Sequence, residues 1–349
     1  MVADMSQVET QHGRTLELAH PYLLFLGDIA EPGYAKTAMG LRDWAGERCL
    51  AEYTLDGGRG VGLPRMAPAA ASAAGARSLV IAVATPGGAI PAAWLPTLLE
   101  AIEAGLDLVA GMHAKLSDMP ELVAAAARHG RRLVDVRTPP PGIPVASGRK
   151  RSGRRLLTVG TDCALGKKYT ALAIARGLVA RGVKADFRAT GQTGIMIAGA
   201  GMPMDAVVAD FAAGAAELLS PDNAPDHWDV IEGQGSLSHP AFAGVSLGLL
   251  HGSQPDVIVL CHDPTRAEVL GHPGYALPRL DEAIDLAVRL GARTNPAIRC
   301  AGVALNTSGL SEAEARKAIA EASAMVGAPA ADPIRGGAEF EALLDAVLA

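Results

Sequence analysis

The chain has 349 residues, of which 49 % are hydrophobic and 19 % charged, and it carries a formal net charge of −6. Its length is about twice that of a typical domain, so two domains are expected, and its composition excludes a largely disordered chain. The acidic balance argues against a broad nucleic-acid-binding surface.

Aromatic residues contribute only 4 %, so the cores must be filled by Ala, Val, Leu and Ile. In chain order, residues 1–15 are polar and lack the apolar centre of a secretion signal. Residues 22–26 (YLLFL) read as a buried strand ending at Gly27-Asp28, and residues 78–84 (SLVIAVA) as a second, closed by the turn Thr85-Pro86-Gly87-Gly88. A helical pattern covers residues 96–105, and residues 106–110 and 132–136 give two more strands. The run Thr138-Pro139-Pro140-Pro141-Gly142-Ile143-Pro144 then breaks all regular structure. With the basic run Arg149-Lys150-Arg151 and Arg154-Arg155 after it, this stretch reads as an exposed linker. The alternation resumes with strands at 156–159, 185–189, 228–231, 257–261 and 300–305 and a helix at 168–181. Strands alternating with helices imply an α/β fold with mainly parallel sheets. The expected domains are residues 1–138, Rossmann-like, and 154–349, P-loop NTPase-like, joined by a linker at 139–153.

The four cysteines, Cys49, Cys163, Cys261 and Cys300, show no C-x-x-C spacing, so neither a zinc site nor a disulfide framework is expected. No apolar run is long enough to cross a bilayer. A cytoplasmic protein is expected, a homo-oligomer with a small-molecule substrate and with neither nucleic acid nor membrane as partner.

Residues 156–170 (LLTVGTDCALGKKYT) carry the strongest motif: an apolar strand, a glycine-bounded loop, and a lysine opening a helix. Such a loop surrounds an anion with backbone N–H groups at a helix N-terminus, and Lys167 adds a point charge. Gly160, Thr161, Asp162, Cys163, Gly166, Lys167, Lys168 and Thr170 are therefore candidate cofactor-binding residues. A standard P-loop places Ser or Thr directly after the lysine to hold Mg²⁺. Here Lys168 stands there, and the first hydroxyl, Thr170, comes two residues later. A second cation in the magnesium position suits a pyrophosphate bound without metal.

The loop, the acidic strand end Asp229-Val230-Ile231-Glu232-Gly233-Gln234-Gly235-Ser236 and the strand Val303-Ala304-Leu305-Asn306 resemble the dethiobiotin synthetase branch of P-loop enzymes. That resemblance puts Glu232 at the metal and substrate and Asn306 at the ring-binding position. A closer resemblance spans nearly the whole chain. Its markers are Thr161-Asp162-Cys163 with Gly166-Lys167, Arg188-Ala189-Thr190-Gly191-Gln192-Thr193-Gly194, residues 232–240 (EGQGSLSHP) and Gly111-Met112-His113. The chain resembles the D-glutamate N-acetyltransferase family, catalogued as a domain of unknown function on a P-loop-like fold. This resemblance implies acetyl transfer from acetyl-CoA to the amine of D-glutamate or a similar acidic amino acid, with no metal.

Acetyl transfer to an amine needs a base and donors for a tetrahedral oxyanion. Glu232, His239 and Asp263 are the base candidates. Arg188 and Arg266 are candidate clamps for the acceptor's carboxylates, and Gln192, Thr193, Gln234 and Ser236 candidate polar contacts. Each has a plainer alternative: His239 as a loop anchor, Asp263 as a helix cap, Arg188 in a structural ion pair, Cys163 as a small loop-filling residue. Two other functions stay open, an ATP-dependent carboxylate-activating enzyme and a non-catalytic nucleotide-binding protein.

Overall fold

The computed structural model describes residues 15–349. They form two compact units, residues 16–139 with 189–206, and residues 140–188 with 207–349.

The first unit contains β1 (Leu16–Glu17), β2 (Tyr22–Gly27), β3 (Cys49–Thr54), β4 (Ser78–Ile81), β5 (Asp107–Ala110) and β6 (Leu133–Asp135). Its helices are α1 (Lys36–Trp44), α2 (Pro68–Ala73), α3 (Leu95–Glu103) and α4 (Pro120–His129). The main sheet runs β3-β2-β4-β5-β6, with every pairing parallel. All six residues of β2 are buried and all four of β4 and β5, as strands covered by helices on both faces require. The strand order reverses between β2 and β4, the position where open α/β sheets leave a crevice at the carboxyl ends of their strands. β3 was not expected from the sequence, because Glu52 interrupts its apolar pattern. The structure buries that carboxylate and satisfies it with the N–H groups of Val61 (2.7 Å) and Gly62 (3.4 Å).

The second unit opens with β7 (Arg154–Gly160), α5 (Lys167–Ala180) and β8 (Ala185–Arg188). The chain then contributes α6 (Gln192–Ala198) and β9 (Ala200–Gly201) to the first unit, where β9 pairs with β1. It continues with α7 (Ala212–Leu219), β10 (Trp228–Ile231), α8 (Ala243–Ser253), β11 (Val257–His262), α9 (Leu280–Gly291), β12 (Arg299–Leu305), α10 (Glu312–Val326), β13 (Ala330–Ala331) and α11 (Ala338–Leu348). This sheet is also parallel throughout, in the order β13-β12-β11-β7-β10-β8. Both units are thus α/β, as expected, and β7, which carries the phosphate loop, is central.

Two features differ from the expected organisation. The stretch read as an exposed linker is pinned to the second unit. The N–H groups of Ser147 and Gly148 donate to the Glu217 carboxylate, and Lys150 pairs with Asp256 at 2.8 Å. Arg151 is buried, with Nε donating to Ser220 O (2.6 Å) and Nη2 to Gly252 O (2.6 Å); burial pushes its pKa down to about 10. Guanidinium groups so deeply placed persist because backbone carbonyls take up their protons' hydrogen bonds. Second, Gln192 and Thr193, expected as polar contacts for the substrate, begin α6 and pack in the first unit.

Candidate active site

β7 ends at Gly160, the loop occupies residues 161–166, and α5 starts at Lys167. Gly166 takes the left-handed φ of +99° that turns the loop into the helix. A Cβ on Gly160 would lie 3.1 Å from both Asp162 O and Lys167 Nζ, so the loop folds tightly on itself. Lys167 is buried and donates to Asp162 O at 2.7 Å. Burial lowers its pKa, against the opposing influence of Cys261, Cys163, Asp162 and Glu232. The N-terminus of a 14-residue helix and a lysine therefore meet at one loop, the physical requirement for an anion site.

Lys168 keeps the position of the absent Mg²⁺-binding hydroxyl. It is partly buried, with Nζ 4.4 Å from the centroid of the Tyr169 ring, and burial lowers its pKa while the Glu232 carboxylate opposes the shift. Thr170 does not replace the missing hydroxyl: it is buried, and its side chain pairs with the Cys261 thiol in the core.

Asp162 braces the loop. Its carboxylate accepts from the N–H groups of Cys163 (2.6 Å) and Leu270 (2.8 Å) and from Arg266 Nη1 (2.8 Å). Burial alone would raise its pKa, but these donors outweigh it and hold the carboxyl below the usual range. Arg266, expected to clamp substrate, also donates to Cys163 O (2.8 Å) and so ties the 263–278 loop to the phosphate loop.

His239 lies 3.7 Å from Asp162 through Nε2. Its Nδ1 accepts from the N–H groups of Ala241 (3.0 Å) and Phe242 (3.3 Å), which assigns the proton to Nε2. Burial lowers its pKa. As placed, His239 is a neutral hydrogen-bond donor with its lone pair occupied, so the expected general base is corrected to a donor. Asp162, Cys163 and His239 bring potential metal-ligating atoms within 4.8 Å of one another. With Arg266 on the carboxylate and the imidazole lone pair engaged, these groups are arranged as a brace and do not present a coordination sphere.

Glu232 follows β10 and is buried; Gly233 N donates to Thr158 Oγ1 (2.9 Å), which fixes it beside the loop. A Cβ on Gly233 would overlap Thr158 O, so only glycine permits this approach. The rest of the 232–239 segment folds on itself: Ser246 donates to Gln234 O (2.8 Å), Ser236 Oγ accepts from Ser238 N (3.2 Å), and His239 N donates to Ser236 O (3.1 Å). Asn306, at the end of β12, lies opposite the loop, its Cβ 4.0 Å from where a Cβ on Gly166 would stand. Thr161 Oγ1 meets His262 Nδ1 at 2.9 Å.

Two expected site residues have other duties in the same unit. Arg188 donates to Asp229 Oδ1 from Nε (2.8 Å) and from Nη2 (2.7 Å), a structural ion pair between neighbouring strands. Asp263 accepts from Thr265 N (3.0 Å) and Thr265 Oγ1 (2.6 Å); it shapes a turn, and no helix follows it directly. The sequence reading missed Thr158, whose signal was a hydroxyl in an apolar strand. It also missed an aromatic wall. The His239 ring lies 4.5 Å from Phe242 and 4.9 Å from His272 between centroids, and His272 meets Tyr275 edge-on. Phe242, Leu270 and Tyr275 are exposed there, apolar surface at the margin of a charged loop.

Residues 47–139 match the Rossmann-like domain described as DUF1611_N, and residues 144–343 match the P-loop domain described as DUF1611_C. The chain belongs to the DUF1611 family. A solved DUF1611 family protein from Anabaena variabilis is 35 % identical, with a TM-score of 0.78 over 94 % of this chain and 99 % of its own. A D-glutamate N-acetyltransferase of Tritonibacter scottomollicae is 50 % identical over 91 % of this chain and 96 % of its own length. Another, from a Pseudoalteromonas species, is 43 % identical over 93 % of this chain and 98 % of its own.

Proposed function

We propose that this DUF1611 chain is an acyltransferase that moves the acetyl group of acetyl-CoA onto the amine of D-glutamate. The observation that carries the reading is identity of 50 % and 43 %, over 91 % and 93 % of the chain, to two proteins that bear that activity in their names. The site chemistry agrees with it. CoA offers a pyrophosphate for the loop N–H groups and Lys167, and Lys168 supplies charge where a nucleotide-hydrolysing enzyme holds Mg²⁺. The exposed wall of Phe242, Leu270 and Tyr275 gives the donor's apolar arm a surface.

In this reaction the acceptor's ammonium group loses a proton and its nitrogen attacks the thioester carbon. The carbon–sulfur bond of the resulting oxyanion then breaks. The second nitrogen proton is lost as the amide forms, and the departing CoA thiolate is protonated. Glu232 is the buried carboxylate proposed to take the amine's proton. Thiol release measured against D- and L-glutamate and D- and L-aspartate tests the proposal: D-glutamate gives acceptor-dependent thiol. Glu232→Gln lowers turnover by about 10²-fold or more while leaving acetyl-CoA affinity near that of the wild type. Thiol release indifferent to every acceptor, together with Mg²⁺-dependent ATP turnover, would transfer the chain to the carboxylate-activating class.

A further inference from the structure

The Rossmann-like unit holds a cavity of its own, 480 Å³ in volume, inside the about 300–1,000 Å³ range of small-molecule sites. It opens at the carboxyl ends of β4 and β5, next to the strand-order reversal between β2 and β4. That is where an open parallel sheet leaves room for a ligand. Arg137 and Gln192 supply polar groups at its wall and Thr37 a hydroxyl, while Ile81, Val83 and Met196 supply apolar surface.

The wall is built to keep this space. Gly87 and Gly88 have φ of +70° and +68°, and a Cβ on Gly88 would come within 2.6 Å of His113. A Cβ on Gly111 would come within 2.6 Å of the Gln192 amide and 3.1 Å of Met196. The Gln192 amide nitrogen donates to Gly111 O, and its oxygen accepts from Arg137 Nη1 (3.2 Å). Thr193 Oγ1, on the same helix, meets Thr37 Oγ1 at 3.5 Å. Arg137 Nη2 also donates to the Asp205 carboxylate at 3.0 Å, which balances its charge but engages only one of its five N–H donors. One guanidinium with N–H groups left to donate, neutral donors and an apolar wall suit a short-chain carboxylate and give poor recognition of a polyphosphate.

We propose that this cavity of the Rossmann-like unit binds D-glutamate by a carboxylate, with Arg137 as its anchor and Gln192 orienting that arginine. The ligand's identity rests on the acetyltransferase reading; the existence of the site does not.

The test is calorimetry on the full chain with D-glutamate, glutarate and CoA, alongside steady-state kinetics, for wild type, Arg137→Gln and Gly111→Ala. We expect Arg137→Gln to weaken D-glutamate and glutarate binding and to raise KM for D-glutamate by about tenfold or more, the scale of a lost charged hydrogen bond. CoA affinity and the melting temperature stay near wild type. Gly111→Ala, which narrows the cavity and keeps the charge, weakens the same two ligands. Unchanged affinity in both variants overturns the proposal, as does a wild-type chain that binds neither dicarboxylate. Arg137-dependent binding without acetylation would leave the site standing and remove the acetyltransferase reading. Acetylation with a KM indifferent to Arg137 would do the reverse.

Discussion

Lys167 and the two histidines beside its loop show how burial sets the chemistry of single residues. The Lys167 ammonium is buried and donates to Asp162 O, so it sits preformed at the helix N-terminus where a phosphate would bind. Lys167→Ala is expected to weaken CoA binding by about 1.5–3 kcal/mol, the cost of a charged hydrogen bond. Titration calorimetry measures it, and the melting temperature should change little. His239 and His262 both have pKa values pushed below 6.5 by burial. His239 faces Asp162, which opposes the shift, and His272 and Lys167, which add to it. An unfolded chain protonates these imidazoles near 6.5 while the folded chain resists. Their contribution to stability is therefore whole above that pH and declines as the pH falls toward the depressed folded values. A melting temperature that drops between about pH 7 and pH 5.5, and drops less in His262→Gln, is the expected result.

Two elements changed character once seen folded. The basic run leading into β7 was legible as charge, but charge alone does not say what the charge touches. In the structure Arg155 is fully buried and Arg151 nearly so; Arg155 Nε donates to Ser220 Oγ (2.7 Å) and Nη2 to Pro221 O (2.8 Å). Gly214 on α7 lies so close to Pro144 that a Cβ there would overlap its carbonyl. A protease needs several residues of extended, free backbone; residues 144–150 are largely exposed, but the N–H groups of Ser147, Gly148, Arg149 and Ser152 are held by hydrogen bonds. Brief trypsin treatment should therefore spare the bonds after Arg149, Lys150 and Arg151, with fragment masses as the readout. Rapid cleavage there, ahead of all other sites, would restore the exposed-linker reading. β3 is the opposite case, an element hidden in the sequence because its one carboxylate is satisfied by loop N–H groups distant from the strand pattern.

At the scale of the whole molecule, each parallel sheet carries a candidate ligand site, one at a phosphate loop and one at a strand-order reversal. Among the described residues no helix is long and apolar enough to cross a membrane. With Lys168 in the metal-binding position and Asp162 committed to Arg266, the proposed acetyl transfer has no evident need of a divalent cation. Thiol release should persist in EDTA at the rate seen with added Mg²⁺. A loss of activity in EDTA that Zn²⁺ or Mg²⁺ restores would show that the loop holds a metal.

The sequence by itself determined the α/β class, the strand at residues 156–159 and the phosphate loop. All three rest on local order: apolar runs of strand length, a glycine-bounded turn and a lysine at a helix start. It also singled out Glu232 as a candidate, because a strand-end carboxylate before Gly-Gln-Gly has few structural uses. The tertiary structure decided which polar residues are committed to one another. Arg188 belongs to Asp229, Arg266 to Asp162, Asp263 to its own turn, and Gln192 to a cavity in the other unit. The physical reason is range. Hydrophobic periodicity is written in neighbours a few residues apart, whereas Arg266 finds Asp162 across 104 positions, and no local pattern encodes a partner that distant.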